Sequence, residues 1–322
     1  MVNFHLHPFT GEAFPWIGGD LQTLRDWVFP PVSGADSATE FTISLKDGDS
    51  LTYRLEYPAT IPKAVMIIVH GLGGSAQSQH ARALSDDALA SGYICMRVNM
   101  RGAGSSRPLC HQTYHAQRGS DLLHFITAAR TGFPDLPIFM IAHSLGGSVA
   151  LNMLLDFPEE AMQLSGMITI SAPLDLIESS AQFHKIRNRP YMRYILSGLK
   201  DLSKNCPGLD TSYQDAAAAA KSLVEFDEYV TAPVNGFPSL EAYYKSASTA
   251  HRLSNANRPL LLIHARNDPW IPVTPYLSAT VSPTSKISLS TGGGHIGFHE
   301  RGQAGQRWHI KTAIDFCDYL CR

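Results

Sequence analysis

Short, continuously apolar runs alternate along this chain with stretches of helical composition, and that alternation limits the folds open to it more than any other feature. The runs are AVMIIVH (64–70), YICMRVNM (93–100), PIFMIAH (137–143), MITISA (167–172), PLLLIHA (259–265) and SKISLS (285–290). A strand that faces water on one side alternates apolar with polar residues, whereas one covered on both faces stays apolar throughout. Between the runs lie helical candidates at Gln79–Ser91, Gly119–Thr131, Leu145–Phe157, Thr274–Thr280 and Gln306–Leu320. Strand, helix and strand in succession imply right-handed crossovers and a doubly wound parallel sheet. Two earlier runs, FTISL (41–45) and LTYRLEY (51–57), do alternate, and the turn-like Lys46-Asp47-Gly48-Asp49 joins them as a half-exposed antiparallel hairpin. The expected fold is α/β, with about eight mostly parallel strands and helices on both faces.

One interval breaks the rhythm. From about 176 to 256 the sequence offers helix and loop but no convincing strand. It reads as a helical cap over the carboxyl edge of the sheet, where open α/β proteins bind ligands. A length of 322 residues first suggests about two domains. The insertion accounts for the excess, leaving a single domain over 1–322 with an N-terminal extension (about 1–38) and the cap. At 44% hydrophobic and 17% charged, the chain can bury a large core, which excludes a disordered protein. Its 26 basic and 28 acidic residues show no basic excess for a nucleic-acid backbone. Five cysteines are few and odd in number, which fits a reducing compartment rather than a disulfide framework. No run approaches the ~18 apolar residues of a membrane span, and the first residues lack a signal-peptide pattern. A cytoplasmic location is expected.

The strongest chemical feature is Ile141-Ala142-His143-Ser144-Leu145-Gly146-Gly147, between a buried run and a helix. It resembles the nucleophile elbow G-x-S-x-G, with Ala142 in the first glycine slot. So tight a turn requires small residues two before and two after the nucleophile, and holds the serine in a strained conformation. A base is available in Gly292-Gly293-Gly294-His295, after the last run. An orienting carboxylate is available in Asp268, after the seventh, with Asp175 after the sixth as the weaker candidate. The order Ser144, Asp268, His295 is that of α/β-hydrolases, and not of chymotrypsin or subtilisin. His70-Gly71-Leu72-Gly73-Gly74-Ser75 follows the third run, where this fold carries its oxyanion donors. The candidate donors are the amides of Leu72 and Leu145.

The same loop supports a rival reading. Gly71-x-Gly73-x-x-Ala76 matches a dinucleotide-binding turn, but the stretch where a ribose-binding acid belongs offers only Arg97 and Arg101, which suit a 2′-phosphate and hence NADP. His111-x-x-x-His115 has the spacing of a zinc motif but carries Gln112 in place of the glutamate a metalloprotease needs. No metal and no cofactor is expected.

Together these residues resemble the YheT-like branch of the α/β-hydrolases, over nearly the whole chain. Gly19-Asp20-Leu21-Gln22-Thr23-Leu24 is similar to that family's segment ending His-Leu-Gln-Thr. His70 to Ser75 is similar to its His-Gly-Leu-x-Gly-Ser loop, and Asn99-Met100-Arg101-Gly102 to its Asn-x-Arg-Gly. Tyr229 to Ser246, with Tyr243-Tyr244, resembles its cap signature. The resemblance implies a carboxylic-ester hydrolase with nucleophile Ser144, acid Asp268 and base His295. Three positions depart from the family pattern: Asp20 replaces the usual His, Ala142 the usual Gly, and Asn267 a frequent Asp.

The implied substrate is a small-molecule ester, short- to medium-chain or lipid-like, hydrolysed through an acyl-enzyme. Trp270, Phe298 and Tyr243 are candidate pocket walls. Phe183–Lys204 mixes basic with aromatic and aliphatic residues. It reads first as a solvated helical face with a buried side, and second as a surface for peripheral contact with anionic lipid. Some proteins of this fold bind ligands without hydrolysis, so a non-catalytic binding protein stands as the third reading. Oligomeric state is not legible.

Overall fold

The structure, a computed structural model, describes residues 4–30, 34, 36–204, 206–302 and 307–322. Among these, eight strands form one sheet: β1 (Thr39–Ser44), β2 (Ser50–Glu56), β3 (Ala64–Val69), β4 (Tyr93–Asn99), β5 (Ile138–His143), β6 (Gly166–Ile170), β7 (Leu260–Ala265) and β8 (Ser285–Ser290). Their spatial order is β1-β2-β4-β3-β5-β6-β7-β8. β1 pairs antiparallel with β2, and β2 antiparallel with β4. Every pairing from β4 onward is parallel.

The helices follow the alternation. Outside the interval between β6 and β7 they are α1 (Gly19–Val28), α2 (Gln79–Ala90), α3 (Ser120–Gly132), α4 (Leu145–Asp156), α11 (Thr274–Ser278) and α12 (Trp308–Leu320). The expected start of the last helix, Gln306, lies outside the described residues. In β3 the period of two sends Val65, Ile67 and Val69 into one core, with Leu122 and Phe125 of α3 and Val149 of α4. Ala64, Met66 and Ile68 enter the opposite core, with Leu84 of α2 and Phe316 of α12. All six residues of β3 are buried, which is why its sequence is unbroken by polar residues. β8 departs from that expectation. It closes the sheet as an edge strand, so only Ser288 and Ser290 of its six residues are buried. β1, the other edge, is largely exposed, and β2 carries most of the hairpin's burial.

Between β6 and β7 the chain leaves the sheet for α5 (Leu176–Phe183), α6 (Arg189–Lys204), α7 (Thr211–Ala219), α8 (Leu223–Phe226), a π-helical turn (Asp227–Thr231), α9 (Ala232–Val234) and α10 (Leu240–Ala247). These helices have a small core of their own, containing Leu196, Leu209, Phe226 and Val230. A second cluster, of Leu176, Tyr243 and Tyr244 with Ala116, ties them to the loop before α3. Among the described residues no helix is long and apolar enough to cross a membrane.

Candidate active site

The turn from β5 into α4 places Ser144 half-buried above the sheet, with φ 50° and ψ −128°. That left-handed backbone is uncommon for a residue with a side chain and persists only where its surroundings hold it. The Ser144 amide donates to the Ile170 carbonyl at 2.8 Å. A side chain at Gly146 would collide with the His70 carbonyl, and a Cβ at Gly147 would come within 2.6 Å of Ala172 Cβ. Ala142, the departure from the usual glycine, is fully buried between β3 and β6, and its single methyl is accommodated there.

Asp268 and His295 meet Ser144 from two other strand ends. His295 Nδ1 lies 2.9 Å from Asp268 Oδ2, and its Nε2 lies 3.0 Å from Ser144 Oγ. A carboxylate accepts only, so Nδ1 carries the proton and Nε2 presents its lone pair to the serine. The other carboxylate oxygen of Asp268 accepts from the amides of Trp270 at 2.8 Å and Ile271 at 3.0 Å. Burial raises the Asp268 pKa, but the charge and hydrogen bond of His295, with smaller help from His264, hold it below the ordinary carboxylate value. The Trp270 ring sits 4.4 Å from the His295 ring, centroid to centroid. Asp175, the weaker acid candidate, is instead the N-cap of α5, accepting from the Glu178 amide at 2.9 Å.

The loop after β3 runs alongside. A Cβ on Gly71 would stand 3.0 Å from Ser144 Cβ, so glycine lets this loop approach the serine. Tyr114 Oη accepts from the Gly73 amide at 2.7 Å, and the Gly74 amide donates to Gly71 O at 3.1 Å. Among the described residues, the amides of Leu72 and Leu145 have no protein acceptor. They are therefore left free to meet a ligand, where Gly73 and Gly74 are not. His70 braces the loop from below: its Nδ1–H donates to Gly71 O at 2.8 Å and its Nε2 accepts from the Met100 amide at 3.2 Å. Burial pushes the His70 pKa down to about 4, which keeps this ring neutral. Asn99 braces the far end, accepting from the Ala76 amide at 2.8 Å.

The cofactor reading fails here. Arg101 is bonded to Asp47, Asp49 and Asp121, and Arg97 to Asp36 at 2.6 Å, so both cations are already paired. His111 pairs with Asp49, while His115 packs against Phe237 and Tyr243; they share no ligand geometry. Among the described residues no cluster of His, Cys, Asp or Glu is arranged to hold a metal.

Sequence reasoning read the N-terminal segment as an extension with a family-like stretch and missed the part it plays. It contains α1, and α1 grips the loop that carries His295. Thr23 Oγ1 accepts the His295 amide at 2.8 Å. Gln22 forms a reciprocal pair with the His299 backbone, accepting from its amide at 2.7 Å and donating to its carbonyl at 3.1 Å. Asp26 is buried against Arg307 at 3.0 Å. Asn267 bridges the same parts, donating to Glu12 at 2.7 Å and accepting from the Gly294 amide at 3.0 Å. An aspartate at 267 would lack the donor and face the Glu12 carboxylate, which explains that departure. Asp20 accepts from Arg187 at 2.6 Å and Tyr191 at 3.1 Å, linking α1 to the helices between β6 and β7.

Ser144, His295, Leu72 and Leu145 all line a cavity of about 790 Å³ between the sheet edge and the inserted helices. Its walls include Leu176, Phe183, Leu199 and Val230. Of the candidate pocket walls, Trp270 and Tyr243 line it and Phe298 does not. The tight turn in which the Phe298 amide donates to Gly293 O folds that ring back under the loop, fully buried against Trp308 and His309. In the basic stretch, α6 buries Leu196 while Arg189 and Arg193 are exposed, the pattern of a solvated face with a buried side.

The model of the family described as "Hydrolase_4: Serine aminopeptidase, S33" matches residues 60–301. The Escherichia coli K12 protein named "Putative esterase YheT" is 28% identical over 264 residues, covering 80% of this chain and 77% of its own. A Saccharomyces cerevisiae monoacylglycerol lipase is 24% identical over 269 residues, covering 79% of this chain and 59% of the lipase. Among solved structures, an esterase of Pyrococcus furiosus superposes with a TM-score of 0.59 at 15% identity, covering 90% of this chain and 96% of that one.

Proposed function

Because the chain belongs to the Hydrolase_4 (serine aminopeptidase, S33) family of α/β-hydrolases, we propose that Ser144, His295 and Asp268 are the catalytic triad with which it hydrolyses carboxylic esters. The observation that carries the assignment of residues is the unbroken hydrogen-bond chain from Asp268 through His295 to Ser144, opening on an apolar-walled cavity. That relatives include a monoacylglycerol lipase supports ester over amide substrates. Residues 176–256 act in this reading as a cap on a single hydrolase domain, and the substrate is a small-molecule ester. Five unpaired cysteines suit a cytoplasmic setting.

The chemistry follows from the geometry. Ser144 Oγ attacks the ester carbonyl carbon while its proton passes to His295 Nε2. The carbonyl oxygen takes up the electron pair as an oxyanion, met by the amides of Leu72 and Leu145. Losing one such donor typically costs ~100–1000-fold in kcat. Asp268 keeps the imidazole in the tautomer that can accept, and stabilises the imidazolium once formed. His295 then gives its proton to the departing alkoxide, so that the alcohol leaves and the acyl group stays on Ser144. A water, deprotonated by the same nitrogen, attacks the acyl-enzyme and releases the acid, returning the proton to Ser144.

The experiment is hydrolysis of p-nitrophenyl esters from acetate to palmitate, with fluorophosphonate labelling of the protein. Wild type is expected to hydrolyse the esters and take the label at Ser144, and Ser144→Ala to do neither. Wild-type rates in Ser144→Ala would overturn the assignment.

A further inference from the structure

We infer that Asp227, held by Tyr244 in the cap wall of the cavity, is a specificity subsite that selects esters whose acyl chain carries a hydroxyl group. The inference rests on the ester-hydrolase reading and names the substrate class of that same site. Asp227 begins the π-helical turn Asp227–Thr231. Such turns are rare and frequently sit at functional sites. Here the side chain borders the cavity, among Leu223, Phe226 and Val230.

A carboxylate in such a wall needs partners. Tyr244 Oη donates to Asp227 Oδ2 at 2.8 Å, and the Thr231 hydroxyl also favours the charged form. Among the described residues no cation acts on the group, and burial lifts its pKa to about 6 against the help of these hydroxyls. A carboxylate offers about four acceptor sites, so these hydroxyls leave acceptor capacity on a group that borders the cavity. A structural carboxyl would normally be closed off by a cation or by backbone amides. The unfilled capacity calls for a donor from the ligand.

The position selects the acyl part of the ester. The leaving oxygen must lie against His295 Nε2, on the Trp270 side of the site. Leu145, the residue beyond the nucleophile, packs instead against the cluster that contains Tyr243 and Tyr244. On this reading the acyl chain runs toward that cluster, where Asp227 is bonded to Tyr244 and borders the cavity. Hydroxyls already solvate the carboxyl and no charge opposes it, so a neutral donor on an otherwise apolar chain fits both the carboxyl and its apolar surroundings.

The test compares ethyl decanoate with ethyl hydroxydecanoates bearing the hydroxyl at successive carbons, and with ethyl aminodecanoate. One hydroxylated ester is expected to exceed the plain ester in kcat/KM by about tenfold or more, the usual effect of a hydrogen bond to a charged acceptor. Asp227→Leu is expected to bring that ratio near one. Asp227→Asn, which keeps a carbonyl acceptor and the shape, is expected to reduce it to a few-fold and serves if the leucine variant does not fold. Equal rates for plain and hydroxylated esters, a ratio that survives in Asp227→Leu, or a preference for the amine would each overturn the inference while leaving ester hydrolysis standing. Binding of the same esters to Ser144→Ala by calorimetry must show the same preference. If wild type hydrolysed none of the esters, the catalytic reading would fall, and equal binding of plain and hydroxylated esters to that variant would remove this inference separately.

Discussion

Thr23 Oγ1 accepts the backbone N–H of His295 at 2.8 Å, joining residues 272 positions apart. The same hydroxyl donates to Gly19 O at 2.7 Å, so both its hydrogen-bonding roles are used inside the clamp. The loop that carries the base is flanked by glycines and has little conformational preference of its own. Its placement over Ser144 therefore depends on what grips it.

Thr23→Val keeps the shape of the side chain and removes the acceptor. We expect kcat to fall about tenfold with KM little changed, because a small displacement of the base is felt mainly in the chemical step. Stability should drop by about 1–3 kcal/mol for the unpaired buried amide. Thr23→Ser should recover most of the rate. Steady-state kinetics with a urea melt on the three proteins checks this, and an unchanged kcat in the valine variant would show that the clamp is redundant.

Asp268→Asn should be far more severe. An asparagine can turn its amide nitrogen toward His295 Nδ1, which forces the proton to Nε2 and removes the lone pair that accepts from Ser144. A loss on the order of 10³–10⁴ in kcat is expected, by analogy with the same exchange in other triads. Circular dichroism should remain native. Activity within tenfold of wild type would point to another acid.

Gly71→Ala tests the approach of the donor loop. The new methyl would stand 3.0 Å from Ser144 Cβ and 3.3 Å from His143 O, closer than relaxed contacts allow. Either the serine or the loop must give. We expect ~10–100-fold loss of kcat with a native melting profile. Gly146→Ala, whose methyl meets the His70 carbonyl directly, should instead reduce the yield of folded protein. Thermal melts alongside rates separate the two outcomes.

Acid stability follows from the buried histidines. Burial holds His70, His80 and His264 near a pKa of 4, and His115 and His143 near 3, against 6.5 for the free side chain. Below pH 6.5 the unfolded chain binds protons at these positions and the folded chain does not. Stability is therefore intact above about pH 6.5 and lost as pH falls toward 4, by ~1 kcal/mol per histidine per pH unit. Urea midpoints at pH 7.5 and 5.5 should differ steeply, and a flat profile across that range would contradict the neutral, buried state of these rings.

Strand and helix ends were legible to within a residue or two, because continuous apolar runs bounded by Gly, Pro and polar turns leave little freedom of register. The three residues of the Asp268–His295–Ser144 hydrogen-bond chain were legible from chain order and from the loops they occupy. Phe298 was not. Its neighbours in sequence suggested a pocket wall, but a turn closed by Gly293 buries the ring on the other side of the loop. SKISLS was likewise read with the buried strands, although its polar residues suit the edge position it holds.

The sequence by itself determined the mostly parallel α/β sheet, the elbow at Ser144 and the interval that leaves the sheet between β6 and β7. These are properties of local pattern: periodicity, small residues at a tight turn, and the spacing of strands. Only the tertiary structure decided that α1 clamps the His295 loop, that Asn267 must be an amide, and that Asp227 faces the ligand space. Each depends on which backbone or side-chain group a residue meets from a distant segment, and local pattern carries no information about that partner. A chain of 322 residues first suggested two domains. In the structure the helices between β6 and β7 form the wall in which Asp227 borders the cavity beside Ser144.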